Sequence, residues 1–128
     1  MSERTVPLSV VVLTFNEERN LEACLDSVRG WVEEIFVVDS GSTDRTLAIA
    51  ERLGARVVAH PFENHTAQWT WALTSLPLRT SWVLGLDADQ RVTPELQHEI
   101  GDRLTASAAP SASAVSYTHL TLPTNREV

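Results

Sequence analysis

Four runs of apolar residues divide the first hundred positions, and each is closed by polar punctuation. Residues 8–15 (LSVVVLTF) are β-branched-rich and continuous, as a strand buried on both faces is. Residues 35–38 (IFVV) form a second run ending in Asp39, and residues 55–60 (ARVVAH) a shorter one that predicts a strand near an edge. The fourth run, residues 82–86, ends in Asp87-Ala88-Asp89. Between these runs the apolar period changes from that of a strand to that of a helix. Leu21, Cys24, Leu25 and Val28 make one helical stripe, with Asn16 as N-cap, Glu17 and Glu18 in the first turn and Gly30 past the end. Leu47, Ala50 and Leu53 give the inner face of a second helix, capped by Thr43 or Asp44 and ended by Gly54. A third helix is predicted over residues 66–76, with Ala67, Trp71, Ala72 and Leu76 inward and Pro77 as its stop. In the fourth, Thr93 caps, Pro94 takes the first position, and Leu96, Ile100 and Leu104 line one face.

Strands alternating with helices call for βαβ units and a mostly parallel α/β sheet with helices on both faces. Ligands of such sheets bind beyond the carboxyl ends of the strands, which is where the polar punctuation falls. Asp87 and Asp89 are two residues apart. If the chain stays near-extended there, both carboxylates face one site. Two close carboxylates repel, so a hard cation such as Mg²⁺ or Mn²⁺ is their natural partner, with substrate phosphates and water completing its shell.

Composition narrows the function. The chain has 128 residues, 43% of them hydrophobic, enough for one small domain. Ten basic residues against seventeen acidic ones give a net charge of −7, which argues against broad nucleic-acid or acidic-membrane binding. An anionic ligand therefore needs local help from a metal or a helix N-terminus. Cys24 is alone, is expected to be core, and leaves the chain compatible with a reducing cytoplasm. No apolar run approaches the ~18 residues of a membrane span, and residues 6–15 lack the cleavage site of a signal peptide. Residues 105–114 (TASAAPSASA) are low-complexity. Residues 116–128 (SYTHLTLPTNREV) resemble translated sequencing-adapter read-through, so the expected domain is residues 1–104 and the rest is set aside from the fold.

Three stretches in order, VVVLTFNEERNLEACLDSV, EEIFVVDSGSTDRTLAIAERLGARVV and SWVLGLDADQRVTPEL, resemble the N-terminal half of a family 2 glycosyltransferase. Within that family they are similar to bacterial lipooligosaccharide-core β-1,4-glucosyltransferase-like enzymes. The resemblance implies a GT-A fold with sheet order third–second–first–fourth, truncated before the acceptor half. It also implies roles for individual residues. Leu13, Thr14 and Phe15 end the strand where the base of a nucleotide sugar sits, and Asn16 and Glu17 line the same edge. Asp39 hydrogen-bonds base or ribose, and Gly41 lets the backbone approach. Gln68 belongs to the nucleotide-sugar site, Asp87 to the ribose and metal shell, and Asp89 is the direct metal ligand. The implied partners are a UDP-sugar and a glycan or glycolipid acceptor at the cell envelope, with the full-length protein in the cytoplasm or peripheral to the cytoplasmic face of the inner membrane. The catalytic base is expected downstream, so this chain is expected to bind without turnover. The sequence departs from the family pattern at Gln90, where an acid is common, and at Gln68-Trp69-Thr70, where Gln-Arg-Asn is common.

Other readings stand beside this one. A dinucleotide fold would need a G-x-G-x-x-G turn after the first strand, which is absent. A phospho-aspartate phosphatase would carry its aspartates on the first strand, not the fourth. A nucleotidyltransferase would show a Gly-rich, basic loop in place of Thr14-Phe15-Asn16-Glu17, and a non-catalytic nucleotide-binding module would lack only the downstream half. His60, His65 and His98 lack metal-ligand spacing and are expected to be solvated or packing residues. Trp69, Trp71 and Trp82 are expected in core or interface, and Trp31 across the first helix–strand turn.

Overall fold

A computed structural model describes residues 6–80, 82–106 and 116–117. Its elements are β1 (Val6–Thr14), α1 (Leu21–Asp26), β2 (Val32–Asp39), α2 (Thr46–Arg52), β3 (Arg56–Ala59), α3 (His65–Ser75), β4 (Trp82–Asp87), α4 (Pro94–Ala106) and β5 (Ser116–Tyr117). The sheet order is β3-β2-β1-β4-β5, with every neighbouring pair parallel. The expected order of the first four strands and the edge position of β3 are both found.

The sheet is buried on both sides because β1, β2 and β4 each carry a continuous apolar run. Leu8, Val10 and Val12 of β1 meet Leu84 and Leu86 of β4 on one face, under Leu21, Cys24 and Leu25 of α1, Ala50 of α2 and Leu104 of α4. Val11, Phe36, Val38 and Val83 point to the other face, under Ala72 of α3 and the adjoining Leu76. Three helices thus cover one face and one helix the other. Full burial of a Val or Leu contributes roughly 1.5–3 kcal/mol, so the wholly buried β1 triplet Val10-Val11-Val12 is a major anchor.

Several local expectations change. Asn16 does not cap α1: it has φ 52°, and the helix begins only at Leu21. Its side-chain oxygen instead accepts from the backbone N–H of Thr43 at 2.8 Å and of Asp44 at 3.3 Å, tying the loop after β1 to the loop after β2. Asn tolerates this left-handed backbone better than most residues. In α2 the inner positions are Thr46, Ala50 and Leu53, whereas Leu47 is 36% exposed. The helix is rotated because Thr46 is held inward by Asp44, through both its backbone N–H and its hydroxyl, and by the backbone N–H of Glu17 at 2.8 Å. In α3 the fully buried residues are Gln68 and Ala72, so a polar side chain takes an inward position expected for apolar ones.

Thr93 does cap α4, its hydroxyl oxygen accepting from Leu96 N–H at 3.1 Å. That helix passes the boundary expected after Leu104. Ser116 and Tyr117, set aside for their resemblance to adapter read-through, pair with Trp82 and Val83. Backbone hydrogen bonding to an open strand edge is indifferent to side chains, so the origin of the residues does not exclude it. Residues 107–115 and 118–128 of the segment set aside lie outside the described residues.

Candidate functional site

The carboxyl ends of the strands open into a cleft of about 830 Å³. β1 and its following loop contribute Leu13, Thr14, Phe15 and Glu17; the turn after β2 contributes Ser40; Pro61 and Phe62 come from the β3–α3 connection and His65 from the start of α3; β4 and its turn supply Asp87, Ala88 and Asp89. Phe15 and Phe62, 55% and 51% exposed, are apolar walls open to solvent. Its acidic lining is Glu17, Asp87 and Asp89, and His65 is its basic member.

Asp87 and Asp89 reach the cleft together, but not through extended backbone. Gln90 N–H donates to Asp87 C=O at 2.9 Å, closing a turn, and Asp87 N–H donates to the Gln90 side-chain oxygen at 2.9 Å. The departure from the family's acid at Gln90 therefore leaves the turn clamped, since a side-chain amide oxygen accepts as a carboxylate would. Asp89 is 8% exposed, while Asp87 is open to solvent. His65 Nε2 lies 3.9 Å from Asp87 Oδ1, with both side chains more than half exposed, so this pairing contributes little to stability. Beneath the turn, Cys24 is buried and its Sγ lies 3.9 Å from the Asp87 carbonyl oxygen. Burial, and then the charges of Asp89 and Asp87, push the thiol up to about 12.

Asp39 is placed differently. By strand alternation it points to the face of α1 and α2, opposite to Asp87. Its carboxylate is 2% exposed and accepts four hydrogen bonds: from Thr14 Oγ1 at 2.7 Å, Gly41 N–H at 2.9 Å, Ser42 N–H at 2.8 Å and Ser42 Oγ at 2.6 Å. Burial alone would raise its pKa. The bonds from Ser42, Thr14 and Gly41 outweigh this and hold the carboxyl below its ordinary value. Gly41, with φ 105°, is what bends the chain back onto Asp39.

Of the expected site residues, Leu13, Thr14, Phe15, Glu17, Asp87 and Asp89 line the cleft. Asn16, Asp39, Gly41 and Gln68 are not among its lining residues. Asp39 and Gln68 are buried, and their polar atoms are hydrogen-bonded to neighbouring protein groups. Ser40, Pro61, Phe62, His65 and Ala88 were not singled out by the sequence. Ser40 could have been suspected from its place between Asp39 and Gly41; the others enter only through the path of the β3–α3 loop and the β4 turn. Among the described residues no three or more His, Cys, Asp or Glu side chains cluster as a metal site. Two carboxylates on one cleft match a Mg²⁺ or Mn²⁺ ion that takes its remaining ligands from phosphate and water.

Comparison with known proteins places this geometry. The family model for glycosyl transferase family 2 matches residues 9–112. An uncharacterized glycosyltransferase of Rickettsia bellii is 41% identical over 96 residues, covering 75% of this chain and 32% of that protein. The lipopolysaccharide core biosynthesis glycosyltransferase LpsC of Rhizobium meliloti is 32% identical over 107 residues, covering 80% of this chain and 38% of its own length. Glucosyl-3-phosphoglycerate synthase from Mycobacterium tuberculosis, solved with Mn²⁺, UDP and glucosyl-3-phosphoglycerate, superposes with a TM-score of 0.59 at 32% identity, over 78% of this chain and 40% of that one. The chain thus spans about one third of the length of the curated relatives it matches. Since the family model runs from β1 through α4, taking in every strand end that builds the cleft, the chain belongs to glycosyl transferase family 2.

Proposed function

We propose that this chain is the donor-binding part of a glycosyltransferase, and that its cleft holds a nucleoside-diphosphate sugar, most simply a UDP-sugar, through a divalent metal. The observation that carries the reading is the convergence of Asp87 and Asp89 with Thr14, Glu17 and Ser40 on one cleft at the carboxyl edge of a parallel sheet. Support comes from the matched mycobacterial enzyme, which was solved with Mn²⁺ and UDP-glucose and with Mg²⁺ and UDP.

In this reading Asp89, held by its turn and largely shielded from solvent, is the direct ligand of Mg²⁺ or Mn²⁺, and Asp87 completes the protein's share of the shell. The ion, when bound, stabilises the negative charge that develops on the departing diphosphate. Leu13, Thr14 and Phe15 form the wall for the nucleoside, and Asp39 and Gly41 hold the neighbouring turn in shape. The complete protein transfers the sugar with inversion to a glycan or glycolipid of the cell envelope, in the cytoplasm or at the cytoplasmic face of the membrane. The likeness to LpsC favours this acceptor class. No helix among the described residues is long and apolar enough to cross a membrane.

The test is calorimetric titration of UDP into the chain with Mn²⁺ and with chelator. Binding is expected with the metal and lost on chelation, and Asp89→Ala is expected to remove the metal-dependent part altogether. Equal binding by wild type and Asp89→Ala would overturn the assignment of the ligand.

A further inference from the structure

Gln68 is 1% exposed, polar, and in the first turn of a helix whose other fully buried residue is Ala72. Its amide bridges two strand ends. Nε2 donates to the backbone oxygen of His60 at 3.2 Å and to Ser40 Oγ at 3.2 Å, while Oε1 lies 2.8 Å from His60 Nδ1. A backbone carbonyl can only accept, so the contact with His60 C=O fixes which end of the amide is the NH₂. Oε1 must then accept from His60, which places a hydrogen on Nδ1. The His60 ring is held for this by stacking on Trp71, with centroids 4.0 Å apart and planes inclined by 19°. At the other end Ser40 Oγ receives a hydrogen bond, and among the described residues its own hydrogen has no acceptor. Ser40 lines the cleft.

We infer that Gln68 is a positioning residue that sets the hydrogen-bond polarity of the cleft: through the chain His60–Gln68–Ser40 it holds the Ser40 hydroxyl as a donor toward an acceptor oxygen of the bound nucleoside. This rests on the nucleotide-sugar reading of the cleft and adds to it a residue that touches no ligand.

The first measurement needs no ligand. Long-range ¹H–¹⁵N NMR of the wild-type chain at mildly alkaline pH should show His60 as the Nδ1–H tautomer; an Nε2–H tautomer would overturn the inference. The second is UDP affinity in excess Mn²⁺. In Gln68→Glu both oxygens accept, so the Ser40 hydroxyl turns toward position 68, and binding should weaken by about 3- to 10-fold, the worth of one hydrogen bond. Ser40→Ala should weaken it comparably, and adding Gln68→Glu to Ser40→Ala should do nothing more. Additive losses would mean that Gln68 acts by another route. Should Gln68→Glu fail to fold, Gln68→Met, which supplies no donor, takes its place in the same cycle. If the wild type binds no UDP, the nucleotide reading fails, and the His60 tautomer alone then decides the polarity.

Discussion

At the scale of single residues, the site separates carboxylates that face the cleft from one that holds the loops. Asp39 accepts four hydrogen bonds from Thr14, Gly41 and Ser42, so Asp39→Asn sets an amide NH₂ against donors. The expected cost is about 1–3 kcal/mol at neutral pH, read from urea denaturation; a change within error would mean that these bonds add nothing. Because the native pKa lies below the ordinary 3.8, the contribution is fully present above that value. It is lost as pH falls through the lowered native one. The acid limb of the stability curve should therefore be shallower in Asp39→Asn. Cys24 behaves in the opposite sense. Its thiol is pushed from 9.0 to about 12, so native protein keeps a proton that unfolded chain releases, and stability should fall as pH rises above 9.0. Cys24→Ala should flatten that alkaline fall, and at pH 8 the native thiol should resist alkylating reagents that label the unfolded chain at once. Rapid labelling of the folded protein would show that the thiol is not shut under the Asp87–Asp89 turn.

At the scale of elements, the spacing between α3 and β4 rests on an absent side chain. A Cβ at Gly85 would stand 2.8 Å from Trp69 Cη2 and 2.9 Å from Cζ3. Trp69 and His65 are one helical turn apart on α3, and Gly85 and Asp87 are two apart on β4, so the close approach at Trp69 helps bring His65 to Asp87. Gly85→Ala should destabilise by about 1–3 kcal/mol through overpacking. Combined with Trp69→Leu, the loss should be smaller than the sum of the two single losses. Strict additivity in thermal or urea unfolding would remove the contact as the cause. The departure from the family's Gln-Arg-Asn at Gln68-Trp69-Thr70 is thus matched on the facing strand, which a reading of either segment alone could not show.

At the scale of the whole molecule, a net charge of −7 and a cleft whose carboxylates are Glu17, Asp87 and Asp89 oppose an anionic ligand at long range. The association rate of the Mn²⁺–UDP complex, still net negative, should therefore rise as ionic strength goes from about 10 to 150 mM, where the screening length falls from about 30 to 8 Å. Stopped-flow tryptophan fluorescence would follow it, and a rate that falls with salt would reveal a local positive field at the cleft. Much of the architecture was legible in the chain because burial on both sheet faces demands unbroken apolar runs, and parallel strands demand intervening helices. The β1, β2 and β4 runs, the helix pattern and the ends bearing Asp39, Asp87 and Asp89 are all local signals of that kind. What the chain could not show is which groups would meet. The inward turn of Thr46 and Gln68, the occupation of Asp39 by its own loop, and the entry of Phe62 and His65 into the cleft depend on contacts between segments far apart in the chain. Ser116 and Tyr117 join β4 by backbone hydrogen bonds, which any residue type can make. Periodicity reports which face of an element is buried; only the tertiary structure decides what a polar group on that face finds there, because its partner is supplied by another part of the chain.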